Sequence, residues 1–499
     1  MRYLRVRSVT GPMRPWFAVG ALLALAGVSG CGNQYRPVVT PVTPTGPAPQ
    51  PQSYVVAFSQ PNLLLPTSGA GSPCPNTSAS SPAGIVTLVD FSGDSVLAQA
   101  NITGVGPSTF SLDASGSTAY STNCDGTIST VPLSTTLQSK NVLTTTLPST
   151  VDPATNQEVN TLPTNLLVTS TADYVAEPHS TTLNGQPAVG VLTGSPPSLK
   201  LEVPVTAPSL VNVTGVASGQ RIYSISQGNS GNGTGVTWGQ CDTPSSVTTN
   251  GEVDGIEVAT NTVSSVIPVG ICPVYGLMTL DSRRTFILNR GSGTITVIDS
   301  AKNQLDLNSP STYMTNATIT VGAGPVHADL YAPGALLVTA NYDDDSISII
   351  NVSINGAVQG FTDTANFGQV LKTVKVGHHP AAVTVLQDGS RVYVANEGDG
   401  TVTIVNLLSF TVEGTLTVNG HPRSIASTFN SPLGKVYTIA QDSPYLTVIR
   451  TDTNIVSASI LLQGNGVDLR TTTQYAGSSS TTATANNITQ SRSAGSGAP

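Results

Sequence analysis

One phrase recurs along the C-terminal half of this chain. Val376 opens V-G-H-H-P, and after a short spacer the chain reads R-V-Y-V-A-N-E-G-D-G-T-V-T-I-V-N, ending at Asn406. A copy starts at Val269, with Cys272-Pro273 and residues 285–289 and 293–299. Another starts at Val321, with Gly324-Pro325 and residues 336–341 and 346–351. A further copy starts at Val418, with His421-Pro422 and residues 436–440 and 446–450. A period of about 40 to 60 residues built from short β runs specifies a propeller or a solenoid.

Each unit holds four runs rich in Val, Ile, Thr and Tyr, separated by Gly, Pro, Asp and Asn. In the unit from Val376 the runs are 382–386, 392–396, 402–406 and 411–418, with 387–390 and 398–400 as turns. Alternation is weak in the inner runs, as expected where both faces of a strand are buried. No long amphipathic helix is visible beyond residue 30. Four antiparallel strands per repeat, stacked radially, predict an all-β propeller.

Beyond residue 30 there is one Trp (Trp238), no Trp-Asp dipeptide and no Gly-Gly pair, which disfavours WD-repeat and kelch blades. The second run, Tyr393-Val394-Ala395-Asn396, resembles instead the YVTN repeat, with looser copies at 119–123, 174–177 and 286–289. The G-x-x-P lead-in and the G-x-V-x-V third run match as well, most clearly over residues 269–460. YncE-like periplasmic proteins and some surface-layer proteins carry this repeat. The resemblance therefore implies an extracytoplasmic propeller, with no single shared ligand.

Second strands are expected at Tyr54, Tyr120, Tyr174, Tyr223, Phe286, Val338, Tyr393 and Tyr437. The first lacks its own inner strand, and residues 466–470 supply one from the other end. Pairing the two termini closes the ring and removes the sheet edge. Eight blades over residues 54–470 average about 52 residues each; seven, the alternative, would need about 60, against about 40–50 for propeller repeats.

Residues 1–30 read as a targeting segment. Arg2, Arg5, Arg7 and Arg14 form a basic start, and residues 16–27 an apolar run too short for an ordinary membrane span. Val28-Ser29-Gly30-Cys31 resembles the bacterial lipobox, so Cys31 is the expected lipidation site and mature N-terminus. Gly32 stands where an inner-membrane retention signal would have Asp, which favours the outer membrane. The expected location is the cell envelope, lipid-anchored on its periplasmic or cell-surface side. Residues 31–53 are a Pro/Thr-rich tether. Residues 471–499 form a Ser/Thr-rich tail expected to be disordered.

Removing residues 1–30 takes the formal charge from −8 to −12, because that segment holds four Arg and no acid. An acidic chain without a basic cluster disfavours nucleic-acid binding. If Cys31 carries lipid, four cysteines remain, an even number that suggests two disulfides in an exported protein. Placing them on the blades selects Cys74–Cys124 and Cys241–Cys272, each joining neighbouring blades on one face. Neither C-x-x-C nor a Cys/His ligand spacing is present, so no metal or other cofactor is expected.

That face also collects the long insertions 59–83 and 227–251. Its lead-ins carry His378, His379, His421 and Arg423, with His327 just past Pro325. These are the candidate ligand-binding residues, a ligand or cation site at the channel mouth; turn chemistry alone is the favoured explanation of them. Asp343-Asp344-Asp345 lacks the spaced ligands and Gly of a calcium loop and reads as a solvated turn. Asp113, Asp281 and Asp388 read as turn stabilisers. No catalytic motif appears.

The sequence thus favours a monomeric, non-enzymatic envelope lipoprotein whose propeller displays loops to a protein, glycan or small molecule. A lectin is disfavoured by the 5% aromatic content. The alternative is a hydrolase of the sugar-lactonase type, which needs His327, His379 and His421 in one cavity with an acid. If residues 54–58 are a second strand, the tether leaves opposite the insertion face.

Overall fold

The structure is a computed structural model. It describes residues 54–61, 82–113, 115–151, 156, 158–216, 218–231, 240–279, 281–331, 335–354, 363–428 and 434–472. The chain divides into two units, Met1–Gln50 and Pro51–Pro499, and every described residue belongs to the second. The expected lipidation site Cys31, the tether, Cys74 and residues 473–499 of the tail lie outside the described residues; Thr471, placed in the tail by the sequence reading, ends the strand Asn465–Thr471.

Eight four-stranded antiparallel sheets form the blades of a β-propeller. The inner strands of blades 2 to 8 are Pro107–Leu112, Asn165–Val168, Leu210–Thr214, Pro273–Met278, Pro325–Tyr331, Pro380–Val385 and Pro422–Ser427. Each lies against the next, and the last and first both touch the C-terminal strand Asn465–Thr471. That strand is the inner strand of blade 1, paired with Tyr54–Gln60 through Val56↔Arg470 and Ala57↔Leu469. The seven-blade alternative is therefore ruled out. In blade 5 the outer strand is broken into Gln304–Leu305 and Thr318–Thr320, both paired with Thr294–Asp299.

One expected landmark shifts. Tyr54 lies opposite Asp90, the last residue of its neighbouring strand, as Arg391 lies opposite Asn406. Val56, not Tyr54, thus occupies the position of Tyr393. A two-residue offset keeps the same face inward, so Tyr54 is still buried.

The repeat's signature Asn has a physical role. In four blades its carboxamide crosses to the third strand and donates to two hydroxyls: Asn123 to Thr127 and Ser129, Asn289 to Thr294 and Thr296, Asn341 to Ser346 and Ser348, Asn396 to Thr401 and Thr403. The lead-in Gly rests on that carboxamide. A Cβ on Gly377 would sit 2.6 Å from Asn396 Nδ2. Blade 8 inverts the pair: Ala440 stands in the Asn position, and Asn419 replaces the Gly and donates to Thr447 from the other side.

The signature Tyr joins blades. Tyr174, Tyr223 and Tyr393 donate their hydroxyls to Asn261, Asn303 and Asn454 in the next blade, at 3.0, 3.2 and 2.6 Å. Tyr437 closes the ring by donating to Asp94 of blade 1 at 3.1 Å. All four acceptors have φ between 49° and 58°, the left-handed turn conformation that Asn and Asp tolerate best. Where the second strand carries Val338, the turn residue of the next blade is Phe410, and the two share one apolar cluster. Phe286 likewise meets Phe367, with ring centroids 6.2 Å apart. Eight apolar clusters of this kind fill the eight boundaries between blades.

Inner strands of adjacent blades do not share a backbone ladder, so side chains bridge them. Arg470 donates to Phe110 O, Thr214 to Gly276 O and Tyr275 to Ala328 O. Ser111 donates to Leu166 O, and Asn165 accepts from Val213 N–H. Asp329 accepts from Val385 N–H at 2.8 Å, Thr384 from Ser427 N–H, and Ser424 from Leu469 N–H.

Blade 3 breaks the Asn rule. Glu177 fills the Asn position, while the two hydroxyl positions opposite are Ala188 and Gly190. Neither Glu177 oxygen has a hydrogen-bond donor among the described residues. Burial, with the nearby Glu202 carboxyl second, pushes Glu177 up to about 9 from the usual 4.5.

Two predictions follow from these contacts. Tyr393→Phe should cost about 1 kcal/mol in urea unfolding, the worth of one hydrogen bond; no loss would mean that the clasp is idle. Folded Glu177 keeps a proton that the unfolded chain gives up above its ordinary range. Its contribution is therefore full below about 4.5 and is lost as pH rises to about 9. Glu177→Gln should flatten stability against pH across that window, and parallel curves for the two proteins would refute this.

Candidate functional site

Inner strands run away from the face that carries the lead-ins and the turns between second and third strands. The insertions after Gln60 and after Ser226 open on that face. Cys241, in the blade 4 insertion, is bonded to Cys272, just ahead of the blade 5 inner strand, with Cα atoms 5.5 Å apart. Cys124 is also disulfide-bonded; its expected partner, Cys74, lies outside the described residues.

The Cys241–Cys272 disulfide sits beside Arg290. Arg290 N–H donates to Cys272 O at 2.8 Å, and its guanidinium donates to Asp242 O at 3.0 Å. The guanidinium also grips both oxygens of Asp343 and lies 4.9 Å from the centre of the Tyr342 ring. The same ring stacks on His379 at 4.6 Å and 7°. The acidic run is thus not a free solvated turn. Asp344 pairs with Lys375, which holds its carboxyl below the usual range. Asp345 accepts the His379 N–H and pairs with the His378 ring, each at 2.9 Å. Burial alone would raise Asp345, but these bonds outweigh it and lower it. Asp113, Asp281 and Asp388 do accept hydrogen bonds within their own turns.

A cleft of about 250 Å³ opens between blades 6, 7 and 8, lined by Tyr342, His379, Glu397, His421, Arg423, Gln441 and Asp442. Arg423 Nε lies 3.0 Å from Glu397 Oε1, and Nη1 donates to Gln441 at 2.9 Å. The other oxygen, Glu397 Oε2, is buried with no hydrogen-bond partner among the described residues. Asp442 takes the His421 N–H at 2.8 Å and pairs with its ring nitrogen at 2.5 Å. Those His421 bonds offset the effect of burial and hold Asp442 below its usual value. His379 has φ 51°, a left-handed conformation unusual for a residue ahead of Pro. It holds the imidazole over Tyr342.

The fold brings His379, His421 and Arg423 together. His378 points elsewhere, with 73% of its side chain exposed. His327 lies in the central channel, where its Nδ1 accepts Val383 N–H at 3.3 Å and its ring tilts against Tyr275. There it lines a chamber of about 40 Å³ with Asp329, Arg423, Asp468 and Arg470. The sequence reading missed Arg290, Tyr342, Glu397 and Gln441. All four occupy one repeat position, the residue after the second strand, and aligning the repeats on that position exposes them.

Among the described residues, no group of three or more His, Cys, Asp or Glu is placed to hold a metal ion. The model of the Choice-of-anchor I domain matches residues 279–432, about a third of the chain, within blades 5 to 8. No curated protein matches. Among solved structures, AztD of Citrobacter koseri is 12% identical, covers 84% of this chain and 97% of its own, and has a TM-score of 0.50. The dihydro-heme d1 dehydrogenase NirN is 12% identical, covers 85% of this chain and 76% of its own, and has a TM-score of 0.53. The periplasmic gluconolactonase PpgL of Pseudomonas aeruginosa is 15% identical, covers 85% and 99%, and has a TM-score of 0.46. At such identities AztD and NirN speak for the propeller fold alone.

The disulfide closes a loop with a sequence separation of 31. Replacing Cys241 and Cys272 together by Ser should cost about 3–4 kcal/mol of stability by chain entropy. It should also loosen Arg290 and, through Tyr342, His379. NMR of the His379 ring would then show a shifted, broadened signal; an unmoved signal would uncouple the disulfide from the cleft.

Proposed function

We propose that this chain is a lipid-anchored envelope propeller that binds a polar ligand in the blade 6–8 cleft without transforming it. The observation that carries this is Glu397 Oε2. A buried oxygen left unpaired costs about 1–3 kcal/mol, and a ligand that donates a hydrogen bond there recovers that cost. The cleft is concave, polar and bounded by side chains already fixed by ion pairs and stacking, as a preformed site should be.

The anchor is lipid on Cys31. Tyr54 and Thr472 lie side by side, with Thr472 N–H donating to Tyr54 O at 2.8 Å, on the face away from the cleft. An anchored disc would then present the cleft outward, away from the membrane. The long insertions of blades 1 and 4 would offer surface for a protein or glycan partner.

The His421–Asp442 pair favours a second reading. A His oriented by a carboxylate is the arrangement of a general base, and a sugar lactone would be its substrate. However, no Ser or Cys is hydrogen-bonded to His379 or His421 among the described residues.

Thermal shift on the full-length chain in mild detergent, with neutral glycans, sugar lactones and amines as probes, separates these readings. A probe that stabilises the wild type and loses its effect in Glu397→Gln is the expected result. Lactone hydrolysis abolished by His421→Ala would replace binding with catalysis. Equal responses of wild type and Glu397→Gln to every probe would end the cleft reading.

A further inference from the structure

The cleft at the mouth and the chamber in the channel share one residue, Arg423. Together they are lined by four carboxylates, Glu397, Asp442, Asp329 and Asp468, and by two guanidiniums, those of Arg423 and Arg470. Arg423 is committed to Glu397, and Arg470 to Phe110 O and Asp468. His421 meets Asp442. Counted formally, with His421, His379 and His327 neutral, the two cavities hold four carboxylates against two guanidiniums.

Resting on the ligand-binding reading of the cleft, we infer that the ligand is a small primary amine whose ammonium group enters at Glu397 Oε2. An ammonium brings both things the site lacks: a donor for that oxygen and positive charge for the excess carboxylates. An anionic ligand would meet net repulsion. The two volumes fit a compact molecule with a charged end. The cleft, at about 250 Å³, accommodates its body. The chamber, at about 40 Å³, admits only a group the size of a few waters.

Both acids of the chamber also stand above their usual range. Asp329 already accepts two backbone N–H groups, from Val385 and Leu330, yet burial still pushes it up to about 7. Asp468 is likewise raised by burial, against the opposing effect of Arg470. A cation held in the cleft beside Arg423 would favour the charged form of both.

The test is calorimetric titration of the full-length chain in detergent at fixed pH and ionic strength. The probes are glucosamine and putrescine, set against N-acetylglucosamine, glucose and glucuronate. Glucosamine should bind at least about tenfold more tightly than its N-acetyl form, a difference of about 1.4 kcal/mol. Glu397→Gln, which keeps shape and removes charge, should erase that preference. Asp329→Asn is the second variant, chosen because it lies away from Glu397 and keeps one acceptor oxygen; it should weaken amine binding without changing glucose. Equal or tighter binding of N-acetylglucosamine or glucuronate overturns the inference. If such binding is still lost in Glu397→Gln, the cleft reading survives and only the ammonium falls. If no probe distinguishes wild type from Glu397→Gln, both fall.

Discussion

Eight inner strands converge on one channel, each the edge strand of its own sheet, and none pairs its backbone with the next. Their channel-facing N–H and C=O groups must nevertheless be satisfied. Side chains from one inner strand do this for the next at every boundary, from Arg470 on Phe110 O round to Ser424 on Leu469 N–H. The ring closes because this chain of contacts closes. It also decides which polar residues in the channel are available for function. His327 and Asp329 are both engaged in stitching blade 6 to blade 7. A channel rich in polar groups is therefore chiefly a structural device, and a ligand must be argued from what the stitches leave over.

The outer architecture rests on two further devices carried by the repeat. The Asn carboxamide locks the turn between the second and third strands, and the Tyr hydroxyl clasps the neighbouring blade. Two departures from them are paired. Asn419 arrives where Ala440 has lost the carboxamide, and Phe410 faces Val338 where the hydroxyl is missing. Such compensation keeps local and global preferences in agreement. Glu177, with Ala188 and Gly190 opposite, has no such partner, and it keeps its proton instead.

The candidate site grows out of the same grammar. The residue after each second strand is unconstrained by the Asn lock and projects onto the insertion face. In blades 5 to 8 it is Arg290, Tyr342, Glu397 and Gln441. Arg290 and Tyr342 form a rigid base under His379, while Glu397 and Gln441 hold Arg423. Blades 1 and 4 instead carry the long insertions, and the Cys241–Cys272 disulfide ties the second of them to blade 5.

The repeat period, the Gly-Asn and Tyr-Asn spacings and the spare strand at residues 466–470 determined the propeller, its eight blades and its closure. Local β runs and turn residues carry that information in sequence order. The sequence also marked His379, His421 and Arg423 as neighbours on one face. It could not separate them from His327 and His378, because identical lead-ins place side chains differently once a left-handed φ, a stacking ring or a channel stitch intervenes. Only the tertiary structure decided that Glu397 keeps an unpaired buried oxygen, that the acidic run at 343–345 is fully engaged, and that Arg423 stands between cleft and channel. Those facts depend on contacts between blades, and such contacts are set by how eight similar units pack around one axis.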